Sequence, residues 1–223
     1  MKNKAKYFCF CGTEGVGKST QTDLLVNHLR SKGFKVLATK EPGTSHSPLT
    51  MVLRGIMLDN QYDAQMTRLS REYISQAIRS IHLERVIMPA LYEYDYIIQD
   101  RGILSGYAYG EACGNDFAFL KDMATRNVDA AIRPPDFLPV AEHIYDKVIY
   151  LTGNVGDGLS RAKSAKQEFA TGDAMESKGV SFLESVGENM FKHSKLFTSC
   201  IIEIDGKSIN EVHNEIIKRL EVV

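Results

Sequence analysis

The stretch GTEGVGKS, Gly12 to Ser19, constrains this chain more than any other. It fits G-x-x-x-x-G-K-[ST] in full, follows an apolar, strand-like run that starts at Tyr7, and opens an amphipathic helical pattern. Glycines strip the loop of side chains, so successive backbone N–H groups can turn inward around phosphate oxygens, and the positive end of the following helix adds to the attraction. Lys18 is placed to reach the β and γ phosphates of a nucleotide, and Ser19 to hold Mg²⁺. Gly12, Thr13, Glu14, Gly15, Val16, Gly17, Lys18, Ser19 and Thr20 are therefore the candidate ATP-binding residues. A strand-to-helix turn built only for tight packing would need the glycines but neither the lysine nor the serine.

Five short apolar runs read as buried strands: from Tyr7, Lys35, Tyr96, Lys147 and Cys200. Helical patterns lie between them. That alternation predicts an α/β fold, with a five-stranded parallel sheet flanked by helices on both faces. The spacing predicts a first helix from about Gly17 to Ser31 with Leu24, Leu25, His28 and Leu29 inward, ending near Gly33. A long helix is expected from about Tyr62 to Tyr94, bent at Pro89, and a last one from Ser208 to about Leu220, with Glu211 completing a capping box. Arg133 to Asp146, with three prolines, reads as an ordered surface excursion. No repeat or low-complexity linker divides the chain, so residues 1–223 are expected to form one domain, which at this length should bury about 70% of its unfolded surface.

Composition narrows the partners. A net charge of −1 leaves no whole-molecule basic field for nucleic acid or an anionic membrane. No stretch approaches the roughly 18 apolar residues of a membrane span. The lysines at positions 2, 4 and 6 precede an apolar run too short for a secretory core. Cys9, Cys11, Cys113 and Cys200 form no CxxC pair, and three of them sit in strand-like runs, so reduced structural thiols are expected in a cytoplasmic protein.

Parallel strands put their C-terminal ends on one edge of the sheet, where ligands bind. Three further segments belong at that edge or beside it: TKEPGTS from Thr39, DRGILSGYAYG from Asp100, and the helical stretch from Tyr73 to Leu91. Together with TEGVGKSTQ they resemble the thymidylate kinase family of P-loop nucleoside monophosphate kinases. The family's T-R-E-P-G-G-T, its D-R-x-x-x-S-x-x-A-[YF], its arginine some ten residues before P-A-L (here Arg79) and its lid motifs (here Gly158 to Ala162 and Asp173 to Gly179) occur in family order.

The resemblance implies a P-loop kinase fold with a helical lid within about 154–178, and transfer of ATP's γ-phosphoryl group to a pyrimidine deoxynucleoside monophosphate. The first choice of acceptor is dTMP, with a 5-substituted dUMP as alternative. By the same resemblance Arg101 and Arg79 grip the acceptor's phosphate, with Lys40 and Pro42 nearby. Asp100 helps Ser19 hold Mg²⁺, Glu14 accepts a bond from the sugar 3′-hydroxyl, and Ser105 and Tyr109 face the base. Lys18 and Arg101 are the expected catalytic cations. Family members without an arginine inside the P-loop supply one from the lid, which here selects Arg161 first, ahead of Lys163 and Lys166. A homodimer is expected on the same footing.

The sequence departs from the family at the base and the lid. The phenylalanine that stacks on thymine, four residues before the helix arginine, is Ser75, so that stacking is lost, moved to Tyr73, or supplied by Tyr107 or Tyr109. The polar residue after A-Y is Gly110, and the lid's D-R is Asp173 followed by Ala174. Two other functions compete. A deoxynucleoside kinase would need a carboxylate base at the sugar's 5′-hydroxyl, and a non-catalytic nucleotide-binding module would need guanine-reading residues, for which no N-K-x-D motif is present.

Overall fold

In the computed structural model, residues 4–131, 140–165 and 173–222 are described, the last three of the middle segment by backbone alone. Five strands form one sheet in the order β2-β3-β1-β4-β5. They are β1 (Lys6–Cys11), β2 (Val36–Lys40), β3 (Tyr96–Asp100), β4 (Lys147–Thr152) and β5 (Ser199–Glu203). Every pairing is parallel, as the five apolar runs predict. The reason they read as unbroken runs is visible in β1. Tyr7, Cys9 and Cys11 enter one core and Phe8 and Phe10 the other, so both faces are apolar.

Helix α1 (Lys18–Ser31) packs on one face with α10 (Ile209–Leu220). Leu25 and Leu29 are fully buried as expected, joined by Val26, whereas Leu24 and His28 are only half-buried. The Ser208–Glu211 capping box opens α10 as predicted. The other face carries α5 (Met88–Glu93), α6 (Ile103–Ala112), α7 (Phe117–Ala131) and α9 (Val180–Ser194). A third cluster joins α2 (Pro48–Leu58) and α4 (Arg68–His82) to Ala174 and Met175. The remaining helices are the four-residue α3 (Asn60–Asp63) and α8 (Val155–Ala165).

The long helix expected from Tyr62 to Tyr94 is not continuous. It begins at Arg68, behind a capping box in which Thr67 and Ser70 bond reciprocally, and it widens to a π-helical stretch over Leu83–Ile87 before α5. The cause is Pro89, which has no N–H to give the carbonyl one turn back. Met88 N–H instead reaches Leu83 O, five residues back. The proline-rich segment needs a second correction in its described part. Ala141, Ile144 and Tyr145 are core residues around a short 3₁₀ turn, not surface. Arg133 and the three prolines lie outside the described residues. The four cysteines are free thiols, with Cys9, Cys11 and Cys200 buried in strands as expected.

Candidate active site

All five strands present their C-terminal ends to one open cleft of about 960 Å³. At its centre Gly12 to Ser19 curls between β1 and α1. Lys18 is buried, and its ammonium donates to Thr13 O at 2.6 Å. Burial and the neighbouring Arg101 guanidinium lower its pKa to about 8. Ser19 and Thr20 stand exposed at the loop's mouth, and Val16 is buried beneath it. Gly15, at φ 68°, is required by a close approach, because a Cβ there would lie 1.7 Å from Gly158 O. The start of α8 therefore lies directly against the loop. One turn further on, Arg161 Nε donates to Gly15 O at 3.0 Å. Of the three candidate cations, Arg161 alone has a described side chain, and it stands at the phosphate loop. The Lys163 side chain and all of Lys166 lie outside the described residues.

Arg101 follows β3 at φ 62°, a left-handed conformation costly for a side chain of this size and of the kind that gathers at functional sites. Its N–H is fixed to Phe10 O at 2.7 Å. The turn aims its guanidinium across the sheet edge, where Nη1 donates to Gly12 O at 3.1 Å, Nη2 pairs with Glu14, and the plane stands 5.3 Å over the Tyr109 ring. Burial disfavours the charge, but Glu14, Tyr109 and Asp100 outweigh it, so the pKa rises above the usual arginine value. One cation thereby bridges the two ends of the cleft.

At the end of the cleft lined by α4, the expected acceptor end, Arg79 is 3% exposed. Its Nε donates to Glu41 Oε2 at 3.2 Å, and Nη1 has no partner among the described residues. Glu41 is held in turn by His82 Nδ1 at 3.0 Å, and His82 Nε2 meets Thr39 Oγ1 at 2.8 Å. Facing the carboxylate, Nδ1 carries the proton and Nε2 accepts from the hydroxyl. Burial raises the Glu41 pKa, and Arg79 and His82 more than reverse it, leaving a buried carboxylate below its usual range. Glu41 and His82 were not among the expected site residues. A periodic reading of α4 puts His82 inward, but only the fold brings it to the loop after β2.

Lys40, Pro42, Ser105 and Tyr109 all line this end as expected, Lys40 exposed and Ser105 buried. Tyr73 and Tyr107 do not. Tyr73 is exposed and edge-on to Phe119, and Tyr107 is a core residue whose hydroxyl donates to Glu142. Arg54, which donates to Pro42 O at 2.9 Å, and Asn115, whose buried Oδ1 lacks a partner among the described residues, join the acceptor end. At the other end Asp205, Gly206 and Lys207 line the cleft. These follow β5, so the sheet-edge argument that found the other loops reaches them too.

Oxygen donors converge beside Ser19. Its hydroxyl donates to Asp100 Oδ2 at 2.7 Å, and Asp100 Oδ1 is buried with no partner among the described residues. A hydroxyl and an orphaned carboxylate oxygen at a phosphate loop are hard ligands of the kind Mg²⁺ takes. Among the described residues no cluster of three or more His, Cys, Asp or Glu side chains could cage a metal. That suits an ion held largely by phosphate and water.

Comparison with known proteins agrees with this geometry. A family model described as Thymidylate kinase matches residues 10–216. A thymidylate kinase of Thermosipho africanus is 34% identical over 215 residues, covering 94% of each chain. One of Fervidobacterium nodosum is 31% identical over 218 residues, covering 95% of this chain and 96% of its own. A crystal structure of thymidylate kinase from Ehrlichia chaffeensis superposes with a TM-score of 0.70 at 23% identity, covering 97% of this chain and 99% of the other, which supports the fold.

Proposed function

The chain belongs to the thymidylate kinase family, and on that footing we propose that its cleft transfers the γ-phosphoryl group of ATP to the 5′-phosphate of dTMP, giving dTDP and ADP. It is accordingly a phosphotransferase of the nucleoside monophosphate kinase class. The observation that carries the reading is Arg101, whose guanidinium touches the phosphate loop at Gly12 O while facing Tyr109 at the acceptor end.

The chemistry is mostly positioning and charge compensation, because the transferring group needs little covalent help and the acceptor phosphate is already a nucleophile. The loop amides and Lys18 hold the β and γ phosphates of ATP. Ser19 and Asp100 would hold Mg²⁺, which would offset charge on the phosphate oxygens. Arg101 lies between the two anions and gives the transferred group parallel N–H donors as charge moves across it. Arg79, already paired with Glu41 through Nε, offers the acceptor its Nη donors. Glu14 orients Arg101 and receives the sugar hydroxyl. Arg161 adds a cation from α8, and the segment from 154 to 178 acts as a lid that excludes water. The deoxynucleoside kinase and non-catalytic readings gain no support from the matched family.

The chain is further proposed to act in the cytosol as a homodimer. No described helix is long and apolar enough to cross a membrane. Leu49, Val52 and Ile56 share one exposed side of α2, and sedimentation of the purified chain as a monomer would remove the dimer. The function itself is tested by following dTDP with ATP, Mg²⁺ and a panel of monophosphates that includes 5-substituted dUMP. Production of dTDP is expected, with kcat/KM for dTMP falling about 100-fold or more in Arg101→Ala, the loss of two charge-assisted bonds. No dTDP, or an unaffected variant, would overturn the assignment.

A further inference from the structure

Arg79, Ser75, Glu72 and Arg68 follow one another along the cleft-facing side of α4. One departure from the family falls on this strip, where the stacking ring is replaced by Ser75, and a second faces it from α6, where Gly110 replaces the polar side chain after Ala108-Tyr109. Leu120 and Glu72 both crowd that glycine. A Cβ on Gly110 would stand 2.7 Å from Leu120 Cδ2 and 3.1 Å from Glu72 Oε2.

Glu72 lines the cleft and is only 5% exposed. Its Oε1 accepts from Gln76 Nε2 at 2.6 Å, and Gln76 Oε1 accepts from Asn127 Nδ2 at 2.7 Å. The direction of this chain is fixed, because Asn127 Nδ2 also donates to the Gln76 backbone carbonyl at 3.3 Å and must present its NH₂ there. The Gln76 oxygen therefore faces Asn127 and its NH₂ faces Glu72. Among the described residues no cation bonds the carboxylate. Burial raises its pKa, with Gln76 and the more distant Arg79 opposing. Oε2 is bonded by no described residue and is not enclosed, so a donor on a molecule in the cleft can reach it.

We propose that Glu72 reads the acceptor base, its Oε2 accepting a hydrogen bond from the imide N3–H of thymine, so that an acceptor lining the cleft does the work of the missing stacked ring. The inference rests on dTMP being the acceptor. Glu72→Gln reverses the polarity with almost no change of shape. The Gln76 NH₂ holds the new amide's oxygen, which turns its NH₂ toward the base, donor against donor.

The test compares dTMP with N3-methyl-dTMP on both proteins, with thermal unfolding confirming that the variant is folded. For the unaltered chain, N3-methylation lowers kcat/KM about 10- to 100-fold, the range for a bond to a charged group. Glu72→Gln loses a similar factor on dTMP, keeps its KM for ATP, and loses at most about twofold more on the methylated substrate, since the same bond cannot be lost twice. Unchanged turnover of N3-methyl-dTMP by the unaltered chain overturns the inference whatever the variant does. Losses that multiply, or a variant equal to the unaltered chain on dTMP, overturn it as well. If the unaltered chain phosphorylates no dTMP, the functional reading itself fails and takes this inference with it.

Discussion

Lys18 shows how this site is prepared for an anion it does not yet hold. Buried beside Arg101, with its pKa down at about 8, the ammonium is only marginally protonated in the free protein near that pH. Bound phosphates favour the charged form, so the pKa must rise when ATP enters. At pH 8.5 ATP binding should take up protons, seen as a dependence of the calorimetric heat on the buffer's ionisation enthalpy, and ATP affinity should weaken as pH rises through 8. Proton release on binding would contradict the assignment. The same depressed pKa means that the unfolded chain binds more protons between about pH 8 and the ordinary lysine value, so this residue's contribution to folding stability grows with pH across that window. Lys18, Ser19 and Asp100 were all readable from sequence because each belongs to a short motif whose local backbone places it. Glu41, His82 and Glu72 were not. Glu41 and His82 act through partners dozens of positions away, and for Glu72 nothing in a linear pattern separates a buried carboxylate from one on a solvated helix face.

The strands were read almost to the residue because a sheet covered on both faces demands uninterrupted apolar runs, and the capped helix α10 because Ser208 and Glu211 make its start a local event. The long helix was misjudged at its start, which lies at Arg68, and Pro89 widens the turn upstream of it. The contact between α8 and the phosphate loop was also hidden, since two glycines in sequence do not announce that their backbones meet. It can be probed at Gly15, where a methyl group would strike Gly158 O at 1.7 Å in a left-handed backbone. Gly15→Ala should cost about 2–4 kcal/mol of stability from combined strain and overpacking, and should weaken ATP binding as α8 and Arg161 are pushed away. A variant with unchanged unfolding and ATP affinity would mean that α8 does not rest on the loop.

Taken together, a parallel sheet with β1 at its centre sends the phosphate loop, the Glu41 loop, the Asp100–Arg101 turn and the β5 loop to one edge, and that convergence turns scattered motifs into a single cleft. The phosphate-loop end matches its motif in full, whereas the proposed acceptor end departs from the family at Ser75 and Gly110. If both nucleotides lie along one cleft with Arg101 between them, a dinucleotide joining adenosine and thymidine through a five-phosphate bridge spans both ends at once. Its inhibition should be competitive against ATP and competitive against dTMP. Competition with one substrate and noncompetitive behaviour toward the other would contradict a shared cleft.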